Sequence, residues 1–148
     1  MGKKDKPSTW IILANSARAI LVDDRGADSA LIVVHVFRNP AGRMNAAGLV
    51  TDQPSRSQSP TGTGTSLAPR TDPHRNAREH FAAELAKLLA ESERRGEFSQ
   101  LVVVASNPFF GILLQHLDPH VRKVVARTIE RDLINVPLNR LRERLVEA

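Results

Sequence analysis

The stretch WIILANSARAILVDD, Trp10 to Asp24, decides how the chain begins to fold. It holds two apolar runs, Trp10 to Ala14 and Ala19 to Val22, joined by a short polar connection. Two such runs separated by so few residues predict a β-hairpin. After another short connection comes LIVVHVF, Leu31 to Phe37, which is rich in the β-branched residues that favour strands. The start of the chain therefore predicts a three-stranded antiparallel meander.

The second half of the chain predicts helices that alternate with strands. Asp72 and Pro73 supply an N-cap and a first helical residue, and apolar residues then recur at helical spacing as far as the stop signal Gly96. LVVVA, Leu101 to Ala105, is a continuous apolar run that predicts a strand covered on both faces. The remaining predicted elements are a helix opened by Asn107 and Pro108 and ending before Pro119, a strand from Lys123 to Ile129, and a helix after Pro137 carrying Leu138, Leu141 and Leu145.

This order of elements, βββαβαβα, predicts an α/β fold. Three antiparallel strands followed by two right-handed crossovers give a mixed five-stranded sheet with helices on both faces, which is the ribonuclease H-like arrangement. A chain of 148 residues is long enough for one core of this kind. We therefore expect a single domain over residues 9–148, preceded by a disordered basic tail, residues 1–8.

The segment between the third strand and the first helix is the least ordinary part of the sequence. Residues 39–70 hold four of the nine prolines and four of the eight glycines, with no apolar period. We predict a long flexible loop here, because compact domains usually keep such connections under about 12 to 15 residues. It is either a connector or a phosphate-binding loop; GTGT is not a P-loop, since no GK[ST] follows.

If the segment binds phosphate, its glycines allow the backbone to approach closely and the helix start adds positive charge and free N–H groups. The predicted binding residues are Gly62, Thr63, Gly64, Arg70, Asp72, His74 and Arg75, with Arg43 and Arg56 as further phosphate contacts.

Composition excludes several classes of site. The absence of cysteine excludes disulfides, a thiolate zinc site and a cysteine nucleophile. A net charge of +5 and a pI near 10.4 favour weak attraction to RNA, DNA or an anionic membrane surface. No apolar segment is long enough for a signal peptide or a membrane span, so we expect a cytoplasmic protein. No cofactor is predicted.

Catalytic chemistry finds little support in the residue pattern. A two-metal nuclease of this fold needs carboxylates on the first and fourth strands, and both strands lack them. Glu79 and Glu84 are interpreted as solvated charges on the first helix. His116 and His120 lie one helical turn apart, but Pro119 breaks the helix that would align them on one metal ion. We therefore predict no metal site and no catalytic residue, and a protein that is more plausibly a binding protein than an enzyme.

Several ordered blocks resemble a known family. They are TWIILANSARAILVDD, TDQP, SPTGTG, DPHRNAREHFAAELAKLL and FSQLVVVASNPFFGILLQHL. Together they resemble the bacterial host-attachment protein family, described as required for attachment to host cells, from about Thr9 to Leu145. That family is similar to the middle domain of archaeal and eukaryotic peptide-release factors, in which a Gly-Gly-Gln loop between the third strand and the long helix enters the peptidyl-transferase centre.

The resemblance implies a function at the ribosome. We expect a non-enzymatic protein that binds an anionic partner, such as ribosomal RNA or tRNA, through residues 39–75. One alternative is a release-factor-like peptidyl-tRNA hydrolase, although Gly-Gly-Gln is absent and Thr63 separates Gly62 from Gly64. Another is an interaction protein that affects attachment to host cells indirectly. The sequence indicates neither a protein partner nor an oligomeric state.

Overall fold

A computed structural model describes residues 8–26, 28–39 and 73–148. The predictions for the tail up to residue 7 and for residues 40–72 lie outside this part of the chain. The described elements are β1 Thr9–Ala14, β2 Arg18–Asp24, β3 Ile32–Arg38, α1 Pro73–Arg94, β4 Gln100–Ala105, α2 Phe109–His116, α3 Pro119–Lys123, β5 Val125–Glu130 and α4 Leu138–Glu147.

The five strands form one mixed sheet in the order β3-β2-β1-β4-β5. β1 pairs antiparallel with β2, and β2 pairs antiparallel with β3, as the short connections require. β1 and β4 are parallel, as are β4 and β5, because each is reached through a helical crossover. The predicted meander and the ribonuclease H-like order are both confirmed.

Helices cover both faces of this sheet, as predicted. Side chains alternate between the faces of a strand, so β1 sends Trp10 and Ile12 to one core and Ile11 and Leu13 to the other. The first core lies under α1, α2 and α3, and the second lies under α4, which contributes the buried Leu141. The central strands β1 and β4 are therefore buried on both faces, which explains their unbroken apolar runs.

Helix α1 buries the side that its apolar period predicts. Phe81, Leu85 and Leu89 are buried in the first core. Gly96 ends the helix with a φ of 74°, a left-handed conformation that glycine adopts without a steric penalty. On either side of Gly96, Arg95 Nε donates to Glu97 Oε2 at 3.1 Å, and this hydrogen bond lowers the pKa of Glu97. No helix in the described ranges is long and apolar enough to cross a membrane.

The second crossover differs from the prediction in one respect. The sequence predicts that β5 starts at Lys123, but Lys123 is the last residue of α3 and β5 starts at Val125. The reason is Pro119, which cannot continue α2 but is well suited to the first position of a new helix. The extra turn buries Val121 in the first core.

Candidate functional site

The candidate position for a functional site is the sheet edge where β1, β3, β4 and β5 all end. Ligands of open α/β sheets bind outside the carboxyl ends of the strands, at the point where the chain connections diverge. Here β1 leads away to β2 on one side, whereas its parallel neighbour β4 leads to β5 on the other. We call this the carboxyl edge; its residues are Asn15, Asn39, Ser106, Asn107 and Glu130.

Amide side chains at the carboxyl edge tie the strand ends to one another. Asn15 Oδ1 accepts hydrogen bonds from the N–H groups of Ala17 and Arg18 at 2.8 and 2.9 Å, which shapes the β1–β2 turn. Asn107, after β4, donates to the carboxylate of Glu130 at the end of β5. β1 and β4 carry no acid. Within the described ranges, no group of three or more His, Cys, Asp or Glu residues could hold a metal ion.

Asn39 joins the end of β3 to the start of α1. It is a buried polar residue, 8% exposed, and its Nδ2 donates to the carbonyl oxygen of Ser16 at 3.0 Å. The same Nδ2 makes a longer contact, 3.4 Å, with the carbonyl oxygen of Ala77 in α1. The backbone N–H of Asn39 donates to the carbonyl oxygen of Ala17 at 2.8 Å. Asn39, which precedes segment 40–72, is therefore joined at the carboxyl edge to α1, the helix that follows this segment.

Replacing Asn39 with alanine is expected to lower the free energy of unfolding by about 1–3 kcal/mol, because it removes a mostly buried amide that donates to the partly buried carbonyl group of Ser16. Urea denaturation measures this loss. Asn135→Ala is the control, since Asn135 is exposed and accepts a surface hydrogen bond from Arg18. It should change the free energy by no more than about 0.5 kcal/mol. Equal losses in the two variants would show that the buried amide has no special role.

The first turn of α1 contains no acidic residue of its own. A helix N-terminus carries a partial positive charge, which acidic residues usually offset, but the first turn of α1 contains no acid. It contains Arg75 instead, whose side chain is 67% exposed and lies 4.0 Å from the carboxylate of Glu79. The Nε of Arg78 is buried without a hydrogen-bond partner in the described part of the chain. Such a helix start favours an anion.

Glu79 also joins α1 to α2. Its Oε1 lies 2.7 Å from Nε2 of His116, and both side chains are about one-third exposed. Beside this pair, a surface cavity of about 460 Å³ is lined by Asn76, Glu79, His80 and Ala83. The interpretation of Glu79 as a solvated charge is therefore wrong in part, because its carboxylate makes a half-buried contact between two helices.

The predicted binding residues divide into two groups. His74 and Arg75 lie in the first turn of α1, next to the carboxyl edge. Sequence reasoning missed Asn39. A usable signal was present, since Asn39 is an amide residue that follows the end of a predicted strand rich in β-branched residues. The other predicted residues lie outside the described ranges: Arg43, Arg56, Gly62, Thr63, Gly64, Arg70 and Asp72.

One solved structure supports the fold, and a second has a weaker likeness that carries no argument. An archaeal protein is similar to this chain with a TM-score of 0.52 and 16% sequence identity. The match covers 97% of this chain and 34% of the archaeal protein's chain. An archaeal translation termination factor, aRF1, has a TM-score of 0.48 and 13% identity, and matches 86% of this chain and 31% of its own. The chain thus spans about a third of the length of these proteins. At such identities the likeness concerns the fold alone.

Comparison with families is more specific. No curated protein matches the chain. The sequence profile of one family matches residues 10–145. This range includes all five strands, apart from the first residue of β1, and it also includes α4 apart from its last two residues. The chain therefore belongs to the family described as protein required for attachment to host cells.

Proposed function

We propose that this protein is a non-enzymatic binding protein that contacts RNA, such as ribosomal RNA or a tRNA end, through residues 39–75. The observation that supports the proposal lies at the start of α1. Its first turn carries Arg75 and no acid, and Ala77, directly after that turn, accepts a contact from Asn39 at the carboxyl edge. The net charge of +5 adds a general attraction to polyanions.

The chemistry of binding follows from phosphate recognition. The first N–H groups of a helix have no acceptor within the helix, so those that the predicted N-cap Asp72 leaves free can donate to phosphate oxygens, and the helix dipole favours the negative charge. Arg70 and Arg75 supply charge-assisted hydrogen bonds, and Gly62 and Gly64 permit close approach of the backbone. Each phosphate contact contributes little at physiological salt, but together the contacts make the affinity strongly salt-dependent.

The double substitution Arg70→Glu/Arg75→Glu is expected to weaken binding to ribosomes about tenfold at low salt. It should also make the dependence of log affinity on log salt concentration shallower by roughly 1 to 2, because each phosphate contact contributes about 0.7 to 0.9 to that slope. Co-sedimentation of purified protein with ribosomes over a range of salt concentrations measures both quantities.

A matched control is available on the other face of the sheet. Arg140 and Arg144 lie on α4, with side chains 65% and 45% exposed, and each forms an ion pair with an exposed glutamate of the same helix. Arg140→Glu/Arg144→Glu changes the net charge by the same amount, so it should leave ribosome binding nearly unchanged. Equal losses in both variants would contradict a site at the start of α1. Absence of binding by the unsubstituted protein would overturn the proposed function.

The alternative function, hydrolysis of peptidyl-tRNA, rests on the family resemblance. Because the sequence lacks Gly-Gly-Gln, we expect no activity above background in a peptide-release assay with purified ribosomes. A ribosomal partner also implies a cytoplasmic location, which cell fractionation tests. Recovery of the protein outside the cytoplasm would instead favour a role in attachment that does not involve the ribosome.

A further inference from the structure

A second cavity lies where α2, α3 and β5 meet. The chain leaves its helical path here: α2 ends at His116, Leu117 is extended with a ψ of 136°, and Pro119 begins α3. The cavity has a volume of about 360 Å³, which is within the size range of small-molecule sites. Its lining residues are Leu114, Gln115, Leu117, Arg122 and Val125.

Most of this lining is hydrocarbon. Leu117 is buried, and Leu114 and Val125 are half-buried residues that pack against the first core. In the described lining, the polar side chains are those of Gln115 and Arg122, and both residues are exposed. Apolar walls with a few polar groups are typical of sites for small molecules. The cavity therefore suits an apolar body with a polar end near the solvent.

Arg122 gives this polar end a positive charge. Its Nη2 donates to the carbonyl oxygens of Leu114 and Gln115 at 3.0 and 3.3 Å, at the end of α2. Asp118 lies four residues before Arg122, but its carboxylate lies 3.9 Å from Nδ1 of His120 and forms no ion pair with the guanidinium. A helix end carries at most about half an elementary charge, so the charge of Arg122 is offset only in part.

The anion that best matches this site is a carboxylate. Several N–H groups project from a guanidinium, and the bonds to the end of α2 use only Nη2, so charge-assisted hydrogen bonds to a carboxylate remain available. A phosphate group carries up to about two negative charges and is matched less well by one cation. The carboxyl terminus of a peptide would bring amide groups that need partners, and apolar walls provide few.

We propose that this cavity binds a small carboxylic acid with an aliphatic chain, such as a medium-chain fatty acid. The chain packs on Leu114, Leu117 and Val125, and the carboxylate binds Arg122 at the mouth, where it keeps part of its hydration. Val125 is the first residue of β5, whereas the carboxyl edge lies at the other end of this strand, at Glu130. The inference is therefore independent of RNA binding at the carboxyl edge.

Titration of the isotope-labelled protein with sodium octanoate, followed by proton–nitrogen NMR, tests the site. The backbone amide signals of the lining residues Leu114, Gln115, Leu117 and Val125 are expected to shift together and to saturate. Octanol, used below its solubility limit, has the same chain length without the charge. Its dissociation constant should be at least about tenfold higher, because it cannot form charge-assisted hydrogen bonds with Arg122.

Arg122→Gln should raise the dissociation constant of octanoate at least about tenfold and leave that of octanol nearly unchanged. Arg131→Gln is the matched control, because Arg131 is exposed beyond the other end of β5 and the same charge is removed. Arg122→Lys keeps a charge and donors for the end of α2, so its affinity should be intermediate.

Circular dichroism checks that these variants are folded, and the comparison of octanoate with octanol decides the question in the unsubstituted protein alone. Shifts that do not saturate, octanol that binds as tightly as octanoate, or equal losses in Arg122→Gln and Arg131→Gln would each overturn the proposal.

Discussion

Phe109→Ala is expected to lower the free energy of unfolding by about 3–5 kcal/mol, the usual cost of removing a buried phenylalanine. Phe109 is the first residue of α2 and is completely buried. Its ring lies 5.5 Å from that of Phe81 on α1, so the substitution leaves a cavity where two helices meet the sheet. Small domains are stable by only about 5–15 kcal/mol in total, so the variant should be marginally folded at 37 °C.

Urea denaturation followed by tryptophan fluorescence measures this loss. Trp10 is the sole tryptophan, is 4% exposed, and stacks on Phe98 at 4.8 Å in the same core. Phe110→Ala is the matched control, because Phe110 is the next residue of α2 but is only partly buried. A loss for Phe109→Ala no larger than that for Phe110→Ala would contradict the packing of α2 described above.

Leu141→Ala is expected to cost about 2–5 kcal/mol. Leu141 is fully buried in the second core, where α4 covers the opposite face of the sheet. Since β1 contributes side chains to both cores, we expect the two faces to unfold together, and Trp10 should report the loss from the other side of the sheet.

The control for this substitution is Leu138→Ala, at a half-buried position in the same helix, which should cost less. Circular dichroism and Trp10 fluorescence should give coincident transitions in every variant. A Leu141→Ala variant whose circular dichroism transition shifts while the Trp10 transition does not would show that α4 unfolds separately.

The order of elements was predictable because its signals are local. Alternating or continuous apolar runs mark the strands, and Pro73 and Gly96 mark the limits of α1 within a residue or two. The start of β5 was not predictable in the same way. Lys123 and the residues after it suit a strand, but Pro119 starts one further helical turn, which is stabilised by the burial of Val121.

Less of the candidate site was predictable, for a physical reason. The placement of Arg75 follows directly from a helix boundary that the sequence marks. The contacts of Asn39 with Ser16 and of Glu79 with His116 join residues that are distant along the chain. Such pairs depend on how α1 and α2 pack on the sheet, and spacing within one element carries no information about that packing. For the same reason, the sequence offered no indication that Glu79 would be shared between two helices.

The bonds made by Asn39 have a consequence for how this fold can diverge. They join Asn39, the last described residue before segment 40–72, to the β1–β2 turn and to α1, the helix that follows the segment. Doubling the length of a flexible connection between fixed points costs only about 0.6 kcal/mol. On that principle, we expect changes in the length of segment 40–72 to cost the fold little free energy. We therefore expect substitutions in this segment to leave the packing of the sheet and α1 unchanged.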